Sequence, residues 1–256
     1  MTISYICCED TLTDAQSQEE FDTTFRDHGV VVMTDIISSQ EIEFLKTEAT
    51  HFSQNREDGE KPFAPYHHIH EVEQEFGQIV RNKRLVEAAD ILAGGPVDLV
   101  QSLFYFKPPG YLGFNRHQDN HFVRAEPARS FVIAWLAIDD ADEENGCLYV
   151  YPGSHMLPIL SVHENDPKRG STQSRTVHEH YGEIDISTDF PCVPLLIRSG
   201  SIAFMHANLV HGSGKNESKD RFRRALSLDY IAAAATFRPG YSAKRTRTNV
   251  HDDIIR

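Results

Sequence analysis

The sequence of 256 residues is poor in cysteine, contains one tryptophan and has no long apolar segment. Cys7, Cys8, Cys147 and Cys192 have no C-x-x-C spacing and are too few for a disulfide framework, which predicts reduced thiols. No apolar run approaches the roughly 20 residues of a transmembrane helix. The N-terminus lacks the basic and apolar regions of a signal peptide. These absences predict a cytoplasmic protein with no membrane partner.

Positive charge is also scarce, with 25 Lys and Arg against 38 Asp and Glu and a formal net charge of -13. An acidic chain disfavours nucleic acid and anionic membranes as partners, and it fits acyl-CoA substrates poorly. The sequence has no Gly-rich phosphate loop, Ser-His-Asp pattern or zinc spacing. We therefore predict a small-molecule substrate, amino-acid-like, phosphonate or a secondary metabolite, and the sequence gives no indication of the oligomeric state.

Length and patterning predict one domain over residues 1–256, with helices first and strands later. Apolar residues at helical spacing occur in SSQEIEFLKTEATHFSQ, where Ser39 is a candidate N-cap, and in RNKRLVEAADILAG. Further along, short β-branched or aromatic runs alternate with turn sequences such as PPGY, PGSH and NESKD, which predicts an antiparallel sandwich or barrel. The predicted parts are a helical region at about 1–96, a β core at about 97–235 and a tail at 236–256.

Residues 160–191 form a long polar stretch with little apolar content. A loop of this length inside a compact domain is more often a lid or a specificity element than a simple connection. We predict that it affects substrate-stimulated turnover.

The stretch GFNRHQDNHF, residues 113–122, places His117, Asp119 and His121 at every second position. On a strand these side chains would point the same way, so that His-x-Asp could place two ligands on one metal ion. The motif is weak by itself, because polar strands produce it by chance. Later in the chain, HANLVHGSGKNESKDRFRRALSL adds two histidines and an arginine that opens a strand. Two His and one carboxylate leave positions on Fe(II) for a cosubstrate and dioxygen, and an Arg provides a planar fork for a carboxylate.

Five stretches in this order carry a family resemblance: VQSLFYFKPP, HQDNHF, AWLAIDDADEENGCLYVYPGSH, SGSIAFMHANLVHGSGKN and FRRALS. With them, the sequence resembles the phytanoyl-CoA dioxygenase family of Fe(II)/2-oxoglutarate oxygenases across most of its length. The resemblance implies a mainly β fold with a double-stranded β-helix (jelly-roll, cupin-like) core, buttressed on one sheet by N-terminal helices. It also implies Fe(II), 2-oxoglutarate and O2 as cofactor and cosubstrates.

Position by position, the resemblance implies that His117 and Asp119 are the proximal iron ligands and His211 the distal one, whereas His206 and His121 are not ligands. The implied contacts of 2-oxoglutarate are Leu103, Trp135, Ser213 and Arg223. A lysine that some family members use for the cosubstrate has no clear equivalent, because HHIHEVEQ (67–74) occupies that region. The candidate substrate contacts are Gln101, Asn120 and His121, although Gln101 and Asn120 could instead satisfy nearby backbone groups.

The arginine has two candidates on one strand. Arg223 shares a strand face with Ala225 and Ser227, whereas Arg224 shares the other face with Leu226 and its apolar neighbours. Hydrophobicity alone would turn the apolar face inward and favour Arg224. In a sheet flanked by helices both faces can be buried, and small residues beside Arg223 leave room for a cosubstrate. We predict Arg223, with Arg224 as the alternative.

Three polar groups have a structural and a functional interpretation. His67, His68 and His70 could form a second metal site, but a loop near the pocket mouth is favoured. DDADEENG is acidic enough for calcium but fits no EF-hand spacing, which favours a solvated turn. The basic residues of the tail could bind an anionic substrate, but a solvated surface is favoured; they are Arg238, Lys244, Arg245 and Arg247.

The resemblance implies an enzyme that hydroxylates an unactivated C–H bond of a small molecule and releases succinate and CO2. Halogenation is disfavoured, because related halogenases replace the carboxylate ligand by a small residue and Asp119 is present. Desaturation, epoxidation and cyclisation use the same ligands and remain open. The alternatives of another class are a non-oxidative, metal-dependent cupin-type isomerase and a catalytically silent family relative.

Overall fold

The computed structural model describes residues 5–7, 15–54, 65–163, 183–240 and 244–252. The helices in these ranges are α1 (Ala15–His28), α2 (Ser39–Gln54), α3 (Ile69–Val72), α4 (Gln74–Ile79), α5 (Lys83–Ala93) and α6 (Asn120–Val123). The strands are β1 (Tyr5–Cys7), β2 (Val30–Thr34), β3 (Tyr66–His67), β4 (Val97–Lys107), β5 (Phe131–Ala137), β6 (Leu148–Val150), β7 (Val162–His163), β8 (Glu183–Ile184), β9 (Val193–Leu195), β10 (Ile202–His206), β11 (His211–Ser213), β12 (Arg223–Ala232) and β13 (Thr248–Asn249).

Two sheets form the core of the molecule. The large sheet has the order β1-β2-β10-β5-β12-β4-β13, with β3 also paired to β4, and its pairs are antiparallel except for β1 with β2. The small sheet has the order β11-β6-β9. One apolar cluster contains residues of both sheets, so the sheets pack face to face as a jelly roll. The predicted fold class is confirmed.

The outer face of the large sheet is covered by the N-terminal helices. The side chains of Leu226, Leu228 and Tyr230 on β12 pack there in the same cluster as Phe25 of α1 and Leu92 of α5. Burying side chains of this kind stabilises the fold by about 1.5–3 kcal/mol each. Both faces of the sheet are therefore buried, and apolar character alone does not tell which face is the interior of the jelly roll.

The large sheet includes strands from outside residues 97–235, the predicted β core. The run HGVVVMTDI (28–36) is typical of a strand within the N-terminal part, and its residues 30–34 form β2 and pair with β10. Residues 248–249 of the predicted tail form β13 and pair with β4. Strand pairing joins segments that are distant in sequence, so the patterned region from 97 to 235 underestimates the sheet.

The cap of α2 is Ser38 and not the predicted Ser39. The Ser38 hydroxyl accepts a hydrogen bond from the Glu41 amide (3.3 Å), and the Glu41 carboxylate accepts one from the Ser38 amide (2.9 Å). This reciprocal pair satisfies two backbone donors that a helix start leaves open. The predicted end of α5 is confirmed, because Gly94 follows it in the left-handed conformation with a φ of 78°.

The long polar stretch is described only at its two ends. Val162–His163 and Glu183–Ile184 pair as a small antiparallel ladder, while residues 164–182 lie outside the described part of the chain. Its role as a lid or specificity element stays a prediction. The helices in the described ranges are too short or too polar to cross a bilayer.

Candidate metal centre

His117, Asp119 and His211 come together at one end of the jelly roll. His117 and His211 are joined by two backbone hydrogen bonds, of 2.9 and 3.1 Å. Asp119 Oδ1 lies 3.4 Å from His117 Nε2, and Asp119 Oδ2 lies 3.5 Å from His211 Nε2. Spacings of this size allow the three groups to share one ion. His206, the other histidine of HANLVH, lies elsewhere, against His155.

Gly113 brings the His-x-Asp segment this close to β11. A Cβ atom at Gly113 would lie 1.8 Å from the carbonyl oxygen of Ser213. Only a residue without a side chain allows the two backbones to approach in this way. The glycine therefore contributes to the metal centre without supplying a ligand.

Both imidazole rings are oriented by backbone carbonyls. His117 Nδ1 donates to the Asn115 carbonyl (2.7 Å), and His211 Nδ1 donates to the Leu209 carbonyl (3.0 Å). A proton on Nδ1 leaves the lone pair of the neutral ring on Nε2, which faces Asp119. The backbone thus fixes the tautomer that a metal ion needs.

The charges at the centre also suit a cation. Burial alone would raise the pKa of Asp119, but the neighbouring His211 and His117 outweigh it and bring the pKa down to about 2. Burial and the charge of His117 lower the pKa of His211 to about 4. Burial lowers the pKa of His117, but its hydrogen bond to Asp119 and the charge of that carboxylate raise it overall. An ionised carboxylate beside a neutral imidazole is the ligand form for a divalent metal.

The predicted alternation of His117, Asp119 and His121 stops after Asp119, because residues 120–123 form α6. His121 is outside the cavity that the triad borders, and its ring lies against Phe122 instead. Asn120 is also turned away from the cavity. Its amide donates to Asn208 (3.0 Å), and its carbonyl oxygen accepts from the Ala125 amide (2.7 Å). Neither residue borders the cavities beside the triad, so their role at the substrate stays a prediction, while the Asn120 side chain satisfies a backbone amide.

His206 occupies a separate, buried site on β10. Its Nδ1 accepts a hydrogen bond from the Asn208 amide (3.0 Å), and its ring packs against those of His155 and Phe25. Burial lowers its pKa to about 4. Of the two histidines in HANLVH, only His211 therefore reaches the centre.

Arg223 faces the interior beside the metal triad. It is 1% exposed, its guanidinium lies 5.4 Å from the centre of the Trp135 ring, and its Nε atom has no hydrogen-bond partner in the part of the chain that the structure describes. Burial lowers its pKa to about 10. Trp135, Ser213 and Arg223 border a cavity that the triad also borders. A buried cation with an open donor next to a metal site favours an anionic ligand.

Arg224 points to the opposite face, toward the helices. Its Nη2 lies 2.7 Å from Asp139 Oδ1, and its Nη1 donates to the carbonyl of Lys46 (2.9 Å) and to Thr50 (2.9 Å). This side chain ties the sheet to α2. Arg224 therefore cannot reach the cavity, and the alternation on β12 agrees with the prediction that selected Arg223.

Lys107 is a buried cation that the sequence analysis missed. It is 1% exposed and pairs with Arg223 across β4 and β12. Its Nζ donates to the Gly146 carbonyl (3.2 Å) and to the Ser213 hydroxyl (3.3 Å). Burial and then the charge of Arg223 lower its pKa. The signal was the period of two along β4, which places Lys107 on the same face as Leu103 and Gln101.

A larger cavity of about 300 Å³ is bordered by His117 and Asp119 of the triad. Leu103 borders this cavity, and Gln101 lies on the same strand face. Two further members of the wall are Asp229, which the sequence did not indicate, and Arg245, for which the sequence favoured a solvated surface. Asp229 is buried on β12, where burial and the charge of Asp119 raise its pKa to about 8. Arg245 enters from the tail.

The three histidines of HHIH lie in two different places. His67 borders the cavity, whereas His68, His70 and Glu71 form a separate group with ligand atoms within 4.8 Å of one another. His70 Nδ1 is held by the Ser102 hydroxyl at 2.6 Å.

In DDADEENG, Asp142 accepts from Arg221 at 2.6 and 2.9 Å. Because Arg221 already pairs with the Asp142 carboxylate, this segment fits the favoured interpretation as a turn better than a calcium site.

The curated proteins that resemble this chain include phytanoyl-CoA dioxygenases. The chain is 38% identical over 114 residues to the peroxisomal phytanoyl-CoA dioxygenase of Rattus norvegicus, which covers 44% of this chain and 32% of the relative. The matches to eight curated relatives cover between 32% and 57% of their length.

Solved structures share the fold at low sequence identity. The non-heme α-ketoglutarate-dependent epimerase SnoN superposes with a TM-score of 0.70 at 23% identity, covering 88% of this chain and 86% of SnoN. The α-ketoglutarate-dependent carbocyclase SnoK superposes with a TM-score of 0.72 at 22% identity, covering 95% and 96%. At these identities the likeness extends to the fold alone.

The family model described as phytanoyl-CoA dioxygenase (PhyH) matches residues 25–225, which include the triad and Arg223. The predicted cofactor set of Fe(II), 2-oxoglutarate and O2 is that of this family, and the donor set of the triad fits a ferrous ion. The chain belongs to the phytanoyl-CoA dioxygenase family of Fe(II)/2-oxoglutarate-dependent oxygenases.

Proposed function

We propose that this protein is an Fe(II)/2-oxoglutarate-dependent hydroxylase of a small molecule. The observation that carries the proposal is the buried Arg223, whose Nε lacks a partner in a cavity shared with His117, Asp119 and His211. A 2-oxo acid needs a metal for its keto and carboxylate oxygens and a cation for its far carboxylate. The two halves of such a site lie side by side here.

The residues around Arg223 support the binding of a dicarboxylate. Ser213 Oγ accepts hydrogen bonds from the Phe114 amide (3.0 Å) and from Lys107 (3.3 Å), which leaves its hydroxyl proton to be donated to a ligand. Trp135 covers one face of the guanidinium and excludes water from it. In such a setting a charge-assisted pair is stronger than in water.

The reaction consumes a substrate R–H, 2-oxoglutarate and O2, and it yields R–OH, succinate and CO2. One atom of O2 enters R–OH and the other enters succinate. The ferrous ion, when bound, activates dioxygen and oxidises the C–H bond. The chain contributes two imidazoles oriented by backbone carbonyls, a carboxylate that stays ionised, and an adjoining cavity for the substrate. We propose hydroxylation because Asp119 retains the carboxylate that the halogenating variant of the site lacks.

The test is anaerobic addition of Fe(II) and 2-oxoglutarate, followed by exposure to O2. We expect the weak visible charge-transfer band of a chelated 2-oxo acid, then slow formation of succinate without substrate. Arg223→Ala should lose the band at concentrations that saturate the unmodified protein. Absence of the band at saturation would refute the proposal, whereas metal binding without succinate would indicate the isomerase or the silent relative.

A further inference from the structure

The larger cavity beside the triad is built for a polar ligand group. Its volume of about 300 Å³ is at the small end of ligand pockets. His117 and Asp119 border it, so a molecule bound there is next to the metal centre. Aromatic residues such as Tyr105, Phe114 and Phe122 form part of the wall. The polar members of the wall are His67, Gln101, Asp229, Arg238 and Arg245.

Gln101 presents an acceptor that has no partner. Gln101 is 2% exposed, and its Nε2 donates to His67 Nδ1 at 2.8 Å. Its Oε1 atom is buried and has no hydrogen-bond partner among the described residues. A buried carbonyl oxygen left in this state costs about 1–3 kcal/mol, unless a ligand donates to it.

Asp229 lies directly opposite Gln101 in the pairing of β12 with β4 and is 5% exposed. Burial and the charge of Asp119 raise the pKa of Asp229, whereas the charge of Arg245 lowers it, so Arg245 lies close enough to act on this carboxyl group. Two buried carboxylates beside each other are unfavourable unless positive charge lies between or beside them. Together, Asp229 and Gln101 present acceptors to one point of the cavity.

Arg245 provides charge of the opposite sign. Among the described residues its buried Nε atom has no hydrogen-bond partner, and its Nη1 makes a long contact of 3.4 Å with the Arg238 carbonyl. Arg238 differs, because its guanidinium donates to the Phe122 carbonyl at 2.9 and 3.2 Å. Arg245 therefore retains donors for an anion, and the interpretation of the basic tail as solvated surface is replaced at this residue.

We propose that this cavity binds the head of a small zwitterion of the amino-acid class, with its carboxylate on Arg245 and its ammonium group on Asp229 and Gln101 Oε1. The inference rests on the proposed function, since it names the substrate class of the same site. The two ends of such a head match the two sides of the wall, because Arg245 retains a donor for the carboxylate and the ammonium charge would favour the ionised form of Asp229. An acid without the amine would leave Gln101 Oε1 without a donor, and an amine without the acid would leave Arg245 Nε without an acceptor.

The test measures binding of a probe panel to the full-length chain in the absence of 2-oxoglutarate and O2, with and without Fe(II). The panel consists of the proteinogenic amino acids and, for each binder, its methyl ester, its N-acetyl derivative and its α-hydroxy acid. Calorimetry and the shift in Tm provide the readout. We expect at least one zwitterion to bind, and each derivative that lacks one charge to bind at least tenfold more weakly.

Two variants and a matched control locate the binding. Arg245→Gln should lower the affinity for the zwitterion at least tenfold, whereas Arg247→Gln should leave this affinity unchanged. Arg247 belongs to the same tail but pairs with Asp98 at 2.7 Å outside the cavity. Asp229→Asn should remove the preference for the amino acid over the α-hydroxy acid, a change of specificity that a purely structural residue would not cause.

The inference is overturned if no member of the panel binds, if the singly charged derivatives bind as well as the zwitterion, or if Arg247→Gln weakens binding as much as Arg245→Gln. If Asp229→Asn does not fold, Arg245→Gln and the derivatives decide. The charge-transfer band with 2-oxoglutarate needs no substrate. If no zwitterion binds but the charge-transfer band with 2-oxoglutarate forms, only the proposed substrate class is refuted.

Discussion

Arg223 and Arg224 are neighbours on one strand, but they serve opposite sides of the sheet. Arg223 faces the interior with an unpartnered Nε beside Trp135. Arg224 faces the helices and is held by Asp139 and by the Lys46 carbonyl. One guanidinium is occupied by the protein and the other is available to a ligand. The two positions therefore provide a matched pair for mutation.

Arg223→Ala should lower the affinity for 2-oxoglutarate without unfolding the protein. Removing one partner of a desolvated charge pair costs about 2–5 kcal/mol. At about 1.4 kcal/mol per decade, this is a loss of affinity of about thirtyfold to several thousandfold. Arg223→Lys should recover only part of it, because an ammonium lacks the planar fork. Anaerobic titration of the charge-transfer band measures the affinity.

Arg224→Ala is the control and should lower the free energy of unfolding by about 1.5–3 kcal/mol, with normal 2-oxoglutarate affinity in the folded fraction. Denaturant titration measures this loss. A selective loss of cosubstrate affinity in Arg224→Ala, with Arg223→Ala near the unmodified protein, would show that the alternative arginine is the anchor.

His211→Ala and His117→Ala should abolish stoichiometric metal binding, because each removes a ligand from a site of three. His206→Ala should retain it, since His206 packs between His155 and Phe25 and not at the triad. Co(II) titration and metal analysis measure the difference. Metal loss in His206→Ala with retention in His211→Ala would reverse the distal ligand.

Gly113→Ala should damage the metal centre although Gly113 is not a ligand. The new Cβ would meet the Ser213 carbonyl at 1.8 Å, so the segment carrying His117 must move away from β11. We expect a loss of about 1–3 kcal/mol in unfolding free energy, typical of overpacking, together with weaker Co(II) binding. Gly214→Ala is the control, because its nearest contact would be 3.5 Å. Equal effects of the two substitutions would contradict the close-approach argument.

Metal affinity should fall with decreasing pH. The pKa of His117 is raised above its usual value by Asp119, although burial opposes the shift. Because a metal must displace the proton of His117, affinity is constant above this raised pKa and falls about tenfold per pH unit below it. His211, with a pKa of about 4, adds nothing until far lower pH. Co(II) affinity measured from pH 8.5 to 5.5 tests this, and a flat profile would contradict it.

The chemistry of the metal centre could be predicted from the sequence. The resemblance of the stretches around His117, Asp119 and His211 to one family predicts the ligand set and the fold class. The same resemblance implied Arg223, and the small residues on its face of β12 left room for a cosubstrate, although hydrophobicity alone favoured Arg224. The motifs are contiguous in the chain, which is why they can be recognised without the tertiary structure.

The residues around the larger cavity are brought together by tertiary packing and could not be predicted from the sequence. The period of two failed at His121 because α6 begins after Asp119, and periodicity identifies a face only while a strand continues. Lys107 and Arg223 meet through strand pairing, and Arg245 reaches the cavity from the tail. The burial of Asp229 depends on packing from several elements. Contacts between distant segments follow from how the sheets and the tail close on one another, which no local pattern contains.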